Sequence, residues 1–287
     1  LTPRLSKFVF AGTIFTSAFS LFLVQPLVAK QILPWFGGSA AVWSICMVFF
    51  QVALLAGYAY ADWTARHLNA RRQVLLHVVL LVVSLGFLPI LANPAWKPEG
   101  NDDPTRAILG LLLGTIGLPY FLLSTTGPLL QSWLARALPG THVYRYFSLS
   151  NLASLAALMS YPFLIEPRLA LAAQAYTWSG AYVLFVVLCA GSGFYFLHHA
   201  HKLPMPEHAV RHDPEADWDP RLRDYALWLG LSAMGSWLLV AITNHITQNV
   251  AAIPFLWLLP LTLYLLTFVL CFESDRWYRR GVFLPVG

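Results

Sequence analysis

Charged side chains are what this sequence has least of. Asp, Glu, Lys and Arg make up 11% of the 287 residues, against 58% hydrophobic. That is too little charge to cover the surface of a water-soluble globule of this length. Cysteine is also scarce: Cys46, Cys189 and Cys271 fall within apolar runs or at the end of one. Small buried hydrophobes explain them better than a disulfide framework or a thiolate metal site. Compact zinc spacings are missing, although His198, His199, His201, His208 and His212 crowd one stretch. A membrane haem would need imidazoles on facing helices, whereas His77 and His245 are expected toward opposite sides. No strand, Gly-rich loop and helix follow one another, so no nucleotide-type site is expected. Gly110/Gly114, GSGF (191–194) and Ala53/Gly57/Ala61 lie in apolar runs, where small residues at such spacing let helices approach closely. No cofactor and no catalytic constellation are expected.

What the chain has instead is long apolar runs. A membrane-crossing helix takes about 20 mostly apolar residues, and eight stretches qualify: 8–28, 41–61, 73–92, 107–126, 146–165, 175–197, 225–243 and 251–271. The expected fold is an all-α integral membrane protein, with the bilayer as its first partner. The opening run resembles a signal peptide, but it is long and ends in no small-x-small cleavage site, so it reads as a retained first helix. With the N-terminus cytoplasmic, every Lys and Arg falls on the inner side except Lys30, Lys97, Arg106 and Arg168, as the positive-inside rule requires. The net charge of +5 is thereby spread over short loops, and no nucleic-acid partner is expected.

Six spans precede a polar segment, 199–224, and two follow it. The expected organisation is a six-helix bundle (1–198), a cytoplasmic linker (199–224) and the first two helices of a second, incomplete bundle (225–287). Transporters built from two six-helix halves have this layout. The second and eighth spans support a repeat, since each opens on a Trp (Trp43, Trp257) and closes on an Asp (Asp62, Asp275) followed by arginines. Asp275-Arg276-Trp277-Tyr278-Arg279-Arg280 resembles the D-R-x-G-R-R signature of the major facilitator superfamily, with Tyr278 at the Gly position. Gly57, Asp62, Arg66, Arg71 and Arg72 form a looser copy. The resemblance implies a gating role for Asp62, Arg66, Asp275 and Arg276.

Three longer stretches, 22–61, 127–167 and 243–273, are similar to the membrane region of bacterial proteins that fuse a major-facilitator-like bundle to a spermidine-synthase-like domain. The likeness implies an inner-membrane, multi-pass domain that anchors, and supplies with a small amine or lipid-soluble molecule, a synthase-like domain outside these residues. Aminopropyl transfer would belong to that domain. Two other readings stand beside it: a major-facilitator-type small-molecule transporter, and a non-catalytic subunit packed against other membrane subunits.

Polar residues within spans are costly unless they face partners or a cavity. Gln25, Lys30, Asn151, Asn244, His245 and Gln248 are the candidate substrate-binding residues, with Gln51, Ser124–Thr126, Ser148, Ser150 and Ser154 nearby in the pattern. Hydroxyls that bond the preceding helical turn and amides that join helices are the ordinary alternative. Lys30 could equally reach the headgroups, and Glu166 is expected to pair locally with Arg168. Acidic residues near the span ends are few, which disfavours a polyamine cargo. The stretch TNHITQN (243–249) is expected as the turn between the last two spans, and 128–138 as an amphipathic helix lying in the interface.

Overall fold

A computed structural model describes residues 3–37, 40–97, 104–137, 144–200, 221–249 and 258–273. Nine α-helices are found among them: α1 (Pro3–Phe36), α2 (Ala40–His67), α3 (Ala70–Ser84), α4 (Pro104–Leu112), α5 (Leu118–Ala137), α6 (Tyr144–Ser160), α7 (Leu171–Ala200), α8 (Leu222–Asn249) and α9 (Leu258–Glu273). No strand occurs among the described residues. This is the solution a bilayer imposes, because helices satisfy every backbone N–H and C=O within one segment.

Among the described residues seven helical segments are long and apolar enough to cross a membrane, and the chain is a multi-pass membrane protein. The eighth expected span starts within residues outside the description; its described apolar part, Leu259–Leu270, is shorter. Helices α4 and α5 are one continuous rod, Pro104–Ala137, joined by a π-helical turn at Leu113–Gly117. A second such turn, Tyr161–Ile165, extends α6, and the Glu166 N–H donates to the Tyr161 carbonyl five residues back at 2.8 Å. A proline accompanies each widened turn, Pro119 two residues after the first and Pro162 within the second, and proline cannot donate to the i→i−4 ladder.

Helix α1 is the axis of the bundle and packs on α5, α6 and α7. Its buried side chains Val24, Leu27 and Ile32 join Phe50 of α2, Tyr120 of α5, and Trp178 and Phe185 of α7 in one core. A second core sits toward the other end, where Phe10 and Ile14 meet Val74, Trp133 and Phe196. Between apolar helices in lipid there is little hydrophobic drive, so close approach and hydrogen bonds decide the packing. Ser17 Oγ donates to Leu123 O (3.0 Å), Trp178 Nε1 to Ser20 O (2.8 Å), and Ser84 and Tyr182 share a hydroxyl bond of 2.7 Å. A Cβ on Gly57 would collide with Ser124 Oγ and come within 3.1 Å of Phe121 O. The small residue there lets α2 lie against α5.

Two expectations are corrected. TNHITQN is not a turn, because α8 continues through it to Asn249. Thr243 Oγ1 bonds Leu239 O at 2.7 Å, so the polar side chain is satisfied by its own helix and does not end it. The stretch 128–138 is likewise no separate interfacial helix. Through Ala137 it is the end of α5, with Leu130, Trp133 and Leu134 buried at 0% exposure, because α3 and α7 close over it. The expected linker lies largely outside the described residues.

Candidate functional site

A cavity of about 650 Å³ opens between α1, α2, α5, α6, α8 and α9. From α1 it takes Ile14, Ala18, Leu21 and Gln25; from α2, Ser44, Gln51 and Tyr58; from α5, Tyr120, Ser124 and Thr126. Helix α6 contributes Ser150, Asn151 and Ser154, and α8 contributes Ser236 and Thr243. Fifteen residues separate Ser44 from Tyr58 inclusive, so the cavity extends roughly 20 Å along α2 at 1.5 Å per residue, well within the apolar stretch of the helix.

The described lining is neutral. No Asp, Glu, Lys, Arg or His is among the described residues that form it. Its polar groups are hydroxyls and two kinds of amide, and several are already held. Gln25 Nε2 donates to Tyr120 Oη (3.3 Å), and Asn151 Nδ2 donates to Phe147 O (2.8 Å). Ser124 Oγ bonds Phe121 O (2.6 Å) and Ala53 O (3.2 Å), and Ser154 Oγ bonds Ser150 O (2.9 Å). These bonds orient the side chains and leave their remaining lone pairs and N–H groups for a guest. Space of this size with sparse, oriented polar groups on apolar walls is the usual form of a small-molecule site.

Gln25 and Asn151 thus line the cavity. Lys30 does not. Its Nζ lies 2.7 Å from Glu166 Oε1, tying the end of α1 to the turn after α6. The expected local pair of Glu166 with Arg168 is therefore corrected: the Arg168 guanidinium caps the free carbonyls of Phe163 (3.1 Å) and Leu164 (3.3 Å), and α1 brings a cation to Glu166 from 136 residues away. His245 is exposed on α8 and is not among the lining residues. Asn244 and Gln248 belong to α8, but their side chains lie outside the description, as do Asp275 and Arg276. Asp62 and Arg66 pair within one turn at 2.8 Å, exposed at the end of α2.

The sequence reading did not pick out Ser17, Ser44, Tyr58, Tyr120 or Ser236, all of which line the cavity. A signal for them was present. Ser44, Gln51 and Tyr58 are seven apart along α2, and so are Ser236 and Thr243 along α8, which keeps polar groups on one stripe of an otherwise apolar helix.

A buried polar knot lies outside the cavity. Trp133 Nε1 donates to Gln73 Oε1 (3.1 Å), Gln73 Nε2 donates to Thr64 Oγ1 (3.2 Å), and Thr64 Oγ1 donates to Ala61 O (3.1 Å). It joins α2, α3 and α5. His77, fully buried beside it, meets the Trp133 ring edge-on with centroids 6.0 Å apart, and its one hydrogen-bond contact among the described residues is 3.5 Å, with Tyr60 Oη. His199 stacks on Tyr195 and contacts its carbonyl at 2.9 Å. No group of three metal-ligating side chains occurs among the described residues. Comparison of the chain with protein families, with curated proteins and with solved structures finds no match.

Proposed function

We propose that the chain is the membrane domain of a major-facilitator-type carrier whose cargo is a small, uncharged polar or amphipathic molecule. The observation that supports this reading is the composition of the cavity. It is lined by the first six-helix group and by α8 and α9 together, and carriers made of two halves bind their cargo near mid-membrane, between those halves. A polyamine needs anionic partners, and the described lining offers no carboxylate. The neutral hydroxyls and amides instead favour a guest that forms hydrogen bonds without bringing a charge into a low-dielectric space. Gln25 and Asn151 are the proposed contact residues, and Asp62 and Arg66 belong to the moving end of α2. A synthase-like domain fused to this region would draw on the same neutral guest.

The test is a thermal-shift screen of the purified protein in neutral detergent, with panels of polyols, amides and amphipathic alcohols set against spermidine. A ligand at 100 times its Kd stabilises the folded state by about 2.7 kcal/mol. Neutral compounds are expected to raise Tm. Asn151→Trp, which fills the cavity, is expected to abolish the shift, and uptake of the hit into proteoliposomes should fail in the same variant. Stabilisation by spermidine alone, or a shift untouched by Asn151→Trp, would overturn the proposal.

A further inference from the structure

A second concavity, of about 470 Å³, lies at the end of the bundle where α1 and α6 begin, and it is of opposite chemical character to the central one. Its mouth carries two cations, Lys7 and Arg145, and below them its floor is Ala11, Leu149 and Leu152, with Phe8 on its flank. No described carboxylate pairs with either cation, and neither α1 nor α6 has an acidic residue in its first turn. The N-terminal ends of both helices add positive potential. Leu152 is 47% exposed, so the groove continues as apolar surface away from the charges, while Phe8, 74% exposed, flanks it beside Lys7. Arg145 and Leu152 are seven residues apart, which places the apolar floor roughly 10 Å deeper than the cation along the helix.

We infer that this groove holds an anionic glycerophospholipid, with the phosphate between Lys7 and Arg145 and an acyl chain along Leu149, Leu152 and Phe8. Both halves of the groove are needed for that conclusion. Two cations with no described carboxylate beside them would bind any anion, and an exposed apolar helix face would contact any lipid. Stacked in this order at the end of membrane-crossing helices, they match the phosphate-over-hydrocarbon order of an anionic lipid. Such a lipid would join α1 to α6, two helices that also line the central cavity.

Native mass spectrometry of the full chain in neutral detergent, with phosphatidylglycerol or phosphatidylcholine added, tests this directly. Phosphatidylglycerol is expected to stay bound, and phosphatidylcholine is not. Each cation near a membrane surface contributes about five-fold in affinity for anionic lipid, so Lys7→Gln/Arg145→Gln should weaken phosphatidylglycerol binding roughly thirty-fold. The control Arg71→Gln/Arg72→Gln removes two exposed cations that start α3 at the same end, and it should leave binding within about two-fold, since their charge is screened beyond a Debye length. Equal losses in the two double variants would show general surface attraction and overturn the inference. Displacement of the lipid by millimolar inorganic phosphate would also overturn it, by showing a site for a free anion.

Discussion

Replacing Gln73 by Leu tests the polar knot that fixes α3 against α5. The change strands the Trp133 indole N–H, whose acceptor is Gln73 Oε1 at 3.1 Å. Thr64 is less affected, since its hydroxyl still donates to Ala61 O at 3.1 Å and loses only the bond it accepts. A stranded buried donor costs about 1–3 kcal/mol, whereas interhelical bonds in membranes average about 0.6 kcal/mol and reach about 1.7. The lower figure arises where a freed group can find a new partner. Trp133 cannot swing toward one, because its ring is stacked on Phe196 with centroids 5.7 Å apart and pressed on the backbone at Gly193, and it has 0% exposure. The expected loss is therefore about 1.5 kcal/mol, read from unfolding in mixed detergent micelles. Trp133→Phe removes the donor and part of the ring, and it costs more by itself. In the double variant neither stranded group remains, so its loss should fall short of the sum by about 1 kcal/mol. Losses that add to within about 0.4 kcal/mol would refute the hydrogen bond as the reason α3 and α5 stay in register.

Three further outcomes are expected. Gly57→Ala should lower stability by about 1–3 kcal/mol, because the new Cβ meets Ser124 and the Phe121 carbonyl; Ser124→Gly in the same chain should recover only part of the melting temperature, and an unchanged melting temperature in Gly57→Ala would count against the close α2–α5 approach. Glu166→Gln should cost less than about 1 kcal/mol, since the Lys30 and Glu166 side chains are 40% and 37% exposed; the difference should shrink at high salt, and a salt-independent loss would show that the pair is more deeply buried than it stands here. His77→Leu should be neutral or stabilising in the same unfolding assay, as a buried imidazole whose hydrogen-bond contact is 3.5 Å long returns little for its desolvation, and leucine can take over the apolar packing against Trp133; a loss above about 2 kcal/mol would mean that the ring has a stronger polar partner.

Seven of the eight expected membrane helices could be read from the sequence, and so could the use of the small residues. Gly57 and Ala61 do lie buried against a neighbour, as their spacing predicts. Helix ends were less legible. Hydropathy marks where a chain enters lipid, but a helix ends where its backbone bonds end; α1 therefore runs to Phe36 and α8 to Asn249, beyond their apolar runs. Gln25 and Asn151, which line the cavity, stand out in the sequence because an amide inside a span needs an explanation. Tyr58 and Tyr120 do not, because a tyrosine among apolar residues has an ordinary explanation.

The sequence by itself determined that this chain lives in a bilayer as a set of helices. Burying a peptide group in hydrocarbon without a partner costs several kcal/mol, and that penalty acts on each segment separately. The tertiary structure decided everything that depends on which helix faces which. It paired Lys30 with Glu166 instead of leaving Glu166 to Arg168, placed Trp133 in a core instead of at an interface, and gathered one stripe from each of several helices around a cavity whose described lining carries no charge. Lipid is as apolar as the helix surfaces it covers, so hydropathy does not rank one face above another. Interhelical hydrogen bonds and the fit of small residues against large ones make that choice, and they exist only once the helices have met.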